Sequence, residues 1–177
     1  MDNRHDILQL LRQVADGSTA PEDALTQLKR EPFQDLGYAK VDLHRGVRQG
    51  AAEVIYGAGK TPEQIAGIAA AMGARGCENI LITRISPEAA DFAAKTIPLD
   101  YHPIPHLAIA YPGPRKALGH IVVATGGTSD MAAAEEAALT AEVLGNKVTR
   151  LYDVGVAGLH RLLANLEPPM NARCGIA

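Results

Sequence analysis

Residues 125–130, Thr-Gly-Gly-Thr-Ser-Asp, combine the groups that hold an anion. An apolar run, Ile121-Val122-Val123-Ala124, precedes them and an alanine-rich stretch follows. That order predicts a strand, a tight turn and a helix N-terminus. Such a helix end carries unpaired N–H groups and a partial positive charge. Gly126 and Gly127 let backbone approach an anion closely, and Thr128 and Ser129 add hydroxyl donors, so phosphate is the ligand this pattern suits. No Gly-Lys-Ser/Thr follows, so this is not a Walker loop. Gly-x-Gly-x-x-Gly is also missing, so it is not the dinucleotide fingerprint. The plain alternative is a turn in which Ser129 or Asp130 merely caps the helix.

A second candidate lies at Asp153–Gly158, Asp-Val-Gly-Val-Ala-Gly, after the run Lys147–Tyr152. In open α/β sheets ligands bind beyond the carboxyl ends of strands. Gly155 and Gly158 keep that loop slim. Thr125–Asp130 and Asp153–Gly158 are therefore expected to face one crevice as neighbouring strand ends. Taken alone, Asp153 reads as a cap for a helix starting near Val156.

Other polar groups read as structural. His160 and Arg161 fall inside the helix after Gly158, as surface or packing residues. His44, Arg45 and Arg48 form a basic turn. His102 and His106 are four apart, but Pro103 and Pro105 exclude a helical metal pair, so "YHPIPH" reads as loop. Cys77 reads as a small packing residue, and Cys174 as buried rather than nucleophilic. No metal site is expected.

The elements that must position these residues follow from periodicity. Ile7, Leu8, Leu10, Leu11 and Val14 predict a helix over 5–16 ended by Gly17. Ser18 or Thr19 then caps a second helix. Tyr38, Val41 and Leu43 hint at a strand. "EVIYG" (53–57), "NILITRI" (79–85) and "LAIAYP" (107–112) predict strands. Thr61, Pro62 and Gln64 form a capping-box signature, with Gly76 as the stop, and Ser86-Pro87-Glu88 opens another helix. From His120 the chain spells β-α-β-α-β, with helices over 130–144 and 156–167 and a last strand beginning at "RCGIA". This predicts a parallel sheet. The fold class is thus α/β: an N-terminal α+β domain (1–115), then a partial parallel-sheet domain (116–177) that reads as incomplete at its C-terminus.

With a net charge of −3 over 177 residues, the chain lacks the basic balance of a nucleic-acid-binding face. No segment reaches the roughly 20 apolar residues of a membrane helix, and the N-terminus lacks a signal peptide's apolar core. Two cysteines make no disulfide framework. These features predict a cytoplasmic protein that binds neither nucleic acid nor membrane.

The stretch "TGGTSD…AAEEAALTAEVLGNKVTRLYDVGVAGLHRLL" resembles the LarB family. So do "EVIYGAGKTPEQIAGI", "LITRISPEAADF" and "DYHPIPHLAIAYP", in the same order, so the resemblance spans nearly the whole chain. LarB proteins are pyridinium-3,5-biscarboxylic acid mononucleotide synthases with a domain related to PurE, the aminoimidazole ribonucleotide carboxylase/mutase. The resemblance implies a PurE-like, flavodoxin- or Rossmann-like three-layer second domain. It implies carboxylation of nicotinic acid adenine dinucleotide at C5 of the pyridinium ring, with hydrolysis of the phosphoanhydride and release of AMP. That is the first step of nickel-pincer nucleotide synthesis, for the cofactor of lactate racemase.

On this resemblance Gly126, Gly127, Thr128, Ser129 and Asp130 are the phosphate- and ribose-binding turn. Asp153, Val154, Gly155, Val156, Ala157 and Gly158 are the second loop. Asp130 and Asp153 are the candidate catalytic carboxylates. Carbon dioxide or bicarbonate is the second substrate, Mg2+ is left open as a cofactor, and the expected partner is another copy of the chain, in a PurE-like homo-oligomer such as an octamer. Purine carboxylases carry a catalytic histidine near where Val156 stands, which counts against a PurE-like reaction. Met131-Ala132 replaces the family's frequent Leu-Pro. The family's catalytic cysteine and its Gly-Met-Glu-Gly-Ala stretch are expected beyond Ala177, so the chain is expected to hold half a site and to be inactive and poorly stable alone.

Overall fold

The computed structural model describes residues 3–30, 33–42, 54–115, 118–164 and 174–176. Two helices open the chain, α1 (Asn3–Ala15) and α2 (Pro21–Arg30). The position before α2 is Ala20, whose carbonyl accepts from the Ala24 amide, so neither Ser18 nor Thr19 is the cap. The Ser18 hydroxyl turns back instead and donates to the Gln13 carbonyl at 3.2 Å. A small hairpin follows, β1 (Phe33–Asp35) and β2 (Lys40–Asp42), with Tyr38 in its turn rather than in a strand. The Asp35 carboxylate accepts from the Gly37 amide at 2.8 Å, the local bond that makes Asp a turn former. Leu43 and the basic group His44, Arg45 and Arg48 lie outside the described residues.

The next unit is a mixed sheet in the order β3-β4-β6-β5, from Ile55–Tyr56, Ile80–Thr83, Leu107–Ala110 and Leu99–His102. Parallel β3 and β4 are joined by α3 (Pro62–Gly73), and β4 is followed by α4 (Pro87–Ala93). The capping box is formed: the Thr61 hydroxyl accepts from the Gln64 amide, and the Gln64 side chain accepts from the Thr61 amide. Past α3, Gly76 has φ +81°, and the Cys77 amide donates to the Met72 carbonyl, a left-handed glycine stop. β5 and its turn occupy the segment read as loop. Leu99 and Tyr101 pack on the core there, so alternation along the strand outweighs the two prolines, which fall in the turn.

The strand faces set the layers. Ile80, Ile82, Ala108 and Ala110 point at α3 and α4 and share a core with Ile65, Ala69, Met72, Ala90 and Ala93. Leu81, Leu107 and Ile109 point the other way, onto Leu139 and Val143 of α5 (Met131–Val143). The opposite side of α5, Ala134 and Ala138, packs on Val123 of the second sheet. Its strands are β7 (Gly119–Ala124), β8 (Asn146–Leu151) and β9 (Cys174–Ile176), all parallel, in the order β8-β7-β9. The molecule is therefore of the α/β class, with α5 lying between a mixed and a parallel sheet. The alanines of α5 permit that double packing because they keep both approaches close.

Two further expectations change. In β7 only Val122 and Val123 are buried, so the strand is not covered along its length. The helix expected from Val156 starts as a 3-10 turn, Val156–Gly158, and becomes α6 (Leu159–Leu163). Gly155 and Gly158 favour the tighter turn over a regular helix start. The expected continuation to Glu167 and the Pro168-Pro169 stop lie outside the described residues. No helix among the described residues is long and apolar enough to cross a membrane.

Candidate functional site

Parallel pairing in register, with Ala124 opposite Leu151, puts the carboxyl ends of β7 and β8 side by side. The loops that leave them are the two glycine-rich stretches. Thr125 carries the ladder one step further, its amide donating to the Leu151 carbonyl at 3.0 Å. Thr125 then binds the second loop twice. Its hydroxyl oxygen accepts from the Asp153 amide at 3.2 Å, and its carbonyl accepts from the Val154 amide at 2.9 Å. Among the described residues Thr125 is the buried polar side chain, 6% exposed.

One residue further on, Gly126 and Gly155 touch. A Cβ built on Gly155 would stand 2.5 Å from the Gly126 carbonyl oxygen, so only glycine permits the two loops to close. Gly127 differs. Its backbone is extended, and nothing lies within 4 Å of where a Cβ would be, so it borders open space.

Thr128–Asp130 form one 3-10 turn leading into α5. The Asp130 carboxylate occupies the donors of this turn: it accepts from the Gly127 amide at 3.1 Å and from the Ser129 hydroxyl at 3.3 Å. Asp130 stands at the N-cap position of α5 without a side-chain bond into that helix, and its carboxylate closes a capping box on the Gly127 amide instead, so Asp130 caps this turn as the plain alternative expects.

Asp153 holds a left-handed backbone, φ +58°, and its carboxylate accepts from the Arg161 guanidinium. It does not serve as a helix cap; the cation one turn into α6 takes its charge instead. The Arg161 guanidinium lies against Gly158, where a side chain would collide with it. Val154 and Gly155 are half-buried and Ala157 is exposed, while Val156 projects into solvent at 96% exposure. Arg161 is thus a partner of the second loop, where the sequence suggested a surface or packing residue. A basic residue in the first turn after a strand-end aspartate was the available signal.

Beneath the loops a charged cluster ties α5 to β8. The Arg150 guanidinium donates to Glu135 at 3.2 Å and to Glu142 at 2.5 Å, and the Tyr152 hydroxyl donates to Glu135 at 2.6 Å. Bonding to Glu142 holds Arg150 charged more firmly than usual. Burial, then the bond to the Glu135 carboxylate, pushes the Tyr152 phenol up to about 12.

The thiols sit elsewhere. Cys77 is partly buried against the first core, as a packing residue. Cys174 is exposed, contrary to expectation. It lies on β9 opposite Ile121, and the three residues of β9 are all exposed. His102 ends β5, where its imidazole lies 3.3 Å from Asp100, and His160 is exposed on α6. Among the described residues no three histidine, cysteine, aspartate or glutamate side chains gather as a metal site.

The comparisons bear on this architecture. Residues 33–111 match the family described as LarB/PurE-like N-terminal domain. That span runs from β1 to just past β6 and so takes in the whole mixed sheet. That part of the chain is thus similar to a LarB/PurE-like N-terminal domain, in line with the resemblance read from the sequence. An uncharacterized protein of Methanocaldococcus jannaschii is 29% identical over 171 residues, covering 89% of this chain and 65% of the relative. The chain thus spans about 65% of the length of that curated relative. The two glycine-rich loops at 125–158 lie outside the matched span.

Proposed function

We propose that this chain belongs to a LarB-type synthase and that the crevice between β7 and β8 is its nucleotide site. In this reading the Gly126–Ser129 turn receives the mononucleotide phosphate, displacing the Asp130 carboxylate from the Gly127 amide and the Ser129 hydroxyl. Asp153–Gly158 form the facing wall. The substrate is nicotinic acid adenine dinucleotide, carboxylated at C5 and cleaved to AMP and pyridinium-3,5-biscarboxylic acid mononucleotide.

The pyridinium ring is electron-poor and resists attack on carbon dioxide. A thiolate adding to the ring neutralises it and leaves an enamine carbon. That carbon bonds to carbon dioxide; Asp130 or Asp153 then takes the ring proton, and the departing thiolate restores aromaticity. Water cleaves the phosphoanhydride. The resemblance assigns the thiol to a cysteine other than Cys77 and Cys174, whose positions away from the crevice agree with that.

The observation that carries the reading is the close contact of Gly126 with Gly155, which brings two glycine-rich strand ends together in a chain whose residues 33–111 match a LarB/PurE-like N-terminal domain. The test is to incubate the full-length protein with nicotinic acid adenine dinucleotide and bicarbonate. AMP and the dicarboxylated mononucleotide are the expected products. Turnover of aminoimidazole ribonucleotide instead would overturn the reading in favour of purine-type carboxylation.

A further inference from the structure

We infer that Thr125 is a positioning residue: its buried hydroxyl holds Asp153 in the left-handed conformation that sets the aspartate beside the proposed crevice. The inference rests on the reading of that crevice as the nucleotide site.

Three observations converge. Asp153 has φ +58°, which is uncommon for a residue with a side chain and is held only where surroundings determine it. Its amide and the next one both donate to Thr125, one to the hydroxyl oxygen and one to the carbonyl. Thr125 itself is 6% exposed, so its hydroxyl is sheltered from water. Together they act as a two-point clamp. The Val154 bond uses Thr125 backbone and would survive any substitution, whereas the Asp153 bond depends on the hydroxyl alone. With that bond lost, Asp153 can relax toward the right-handed or extended region, and its carboxylate swings with it. Gly155, one step past Val154, is then no longer pressed on Gly126. A valine fills nearly the same volume as threonine, so the change removes the acceptor while leaving the packing in place. Asp153 also gives its carboxylate to Arg161, which fixes the side-chain end. The clamp fixes the backbone end.

The test compares Thr125→Val and Thr125→Ser in the full-length protein. Amide exchange at Asp153 is expected to quicken about fivefold in the valine variant, the equivalent of one ordinary hydrogen bond, and to return to the parent rate with serine. Turnover of nicotinic acid adenine dinucleotide should fall in kcat more than KM rises with valine, and recover with serine. Unchanged exchange in Thr125→Val would overturn the inference, as would serine failing to restore it. Unchanged kcat despite quickened exchange would overturn the positioning role as well. If the parent protein turns over no such dinucleotide, the functional reading fails, and the exchange comparison still decides whether Thr125 sets Asp153.

Discussion

Gly155 rests on the carbonyl of Gly126, 29 residues earlier, at a distance that leaves no room for a methyl group. The contact joins the loops after β7 and β8 by backbone alone, and a slim floor of this kind lets a ligand phosphate come near peptide N–H groups. Gly127, one residue away, faces open space. The two glycines therefore serve different ends, which substitution should separate.

Gly155→Ala forces the loops apart. Overpacking against backbone costs about 1–3 kcal/mol, so thermal unfolding should shift down and nucleotide affinity should fall with it. Gly127→Ala meets nothing within 4 Å and keeps an extended backbone, so stability should hold or rise slightly. Its nucleotide affinity should still fall, because the methyl group occupies the approach to the turn. Calorimetric titration beside thermal melts distinguishes the two; equal losses of stability in both variants would count against this assignment of the glycines.

The Tyr152–Glu135 bond fastens the strand end just before Asp153 to α5. Tyr152→Phe should cost about 1.5 kcal/mol, the low end for a hydrogen bond to a charged group. The phenol is raised from 10.0 to about 12 in the folded protein. Its stabilising share is therefore complete below pH 10 and lost as pH rises through about 12. An absorbance titration of the parent minus Tyr152→Phe should show one late-ionising phenol. A difference curve centred near 10 would show the bond to be absent in solution.

At the acid end the signs reverse. Glu63 and Glu88 sit in the first turns of α3 and α4, where their own backbone amides and then the Thr61 and Ser86 hydroxyls hold their carboxyls below the ordinary 4.5. Stability from these groups is present above pH 4.5 and lost as pH falls through their lowered values. Glu63→Gln with Glu88→Gln should flatten the fall in melting temperature below pH 4.5 relative to the parent. An unchanged acid slope would show that both carboxylates are solvated equally in folded and unfolded chains.

Local signals were legible in the sequence. The capping box at Thr61 and the β-α-β order after His120 depend on neighbours in the chain, and both are present. The two glycine-rich loops were placed together correctly, because parallel neighbouring strands leave little choice of where their ends lie. What the sequence hid were long-range partners. Arg161 looked like a surface residue of a helix, yet it takes the charge of Asp153. Thr125 looked like the first residue of the anion turn, yet its hydroxyl accepts from a backbone amide 28 residues on. Cys174 looked buried because it opens an apolar strand, yet it is exposed, with β7 as the partner of β9 among the described residues. β5 was missed because Pro103 and Pro105 crowd the same short segment as its strand signal.

The Asp130 carboxylate fills the proposed anion turn. Asp130 accepts from the Gly127 amide and the Ser129 hydroxyl, the donors a phosphate would need. Like charges about 4 Å apart at a surface repel by about 1–4 kcal/mol, so the carboxylate opposes phosphate as long as it stays in the turn. Asp130→Asn keeps an acceptor for Gly127 and removes the charge. Affinity for inorganic phosphate should therefore rise at least about fivefold, and the gain should shrink as salt is added. Ser129→Ala should do the opposite and weaken phosphate about tenfold or more, the loss of one charge-assisted bond. Its melting temperature should stay constant, because Ser129 is exposed and makes no side-chain cap. Isothermal titration of phosphate into both variants and the parent gives the answer. Unchanged phosphate binding in both, with a lowered melting temperature in either, would show that the turn serves the helix alone and holds no ligand.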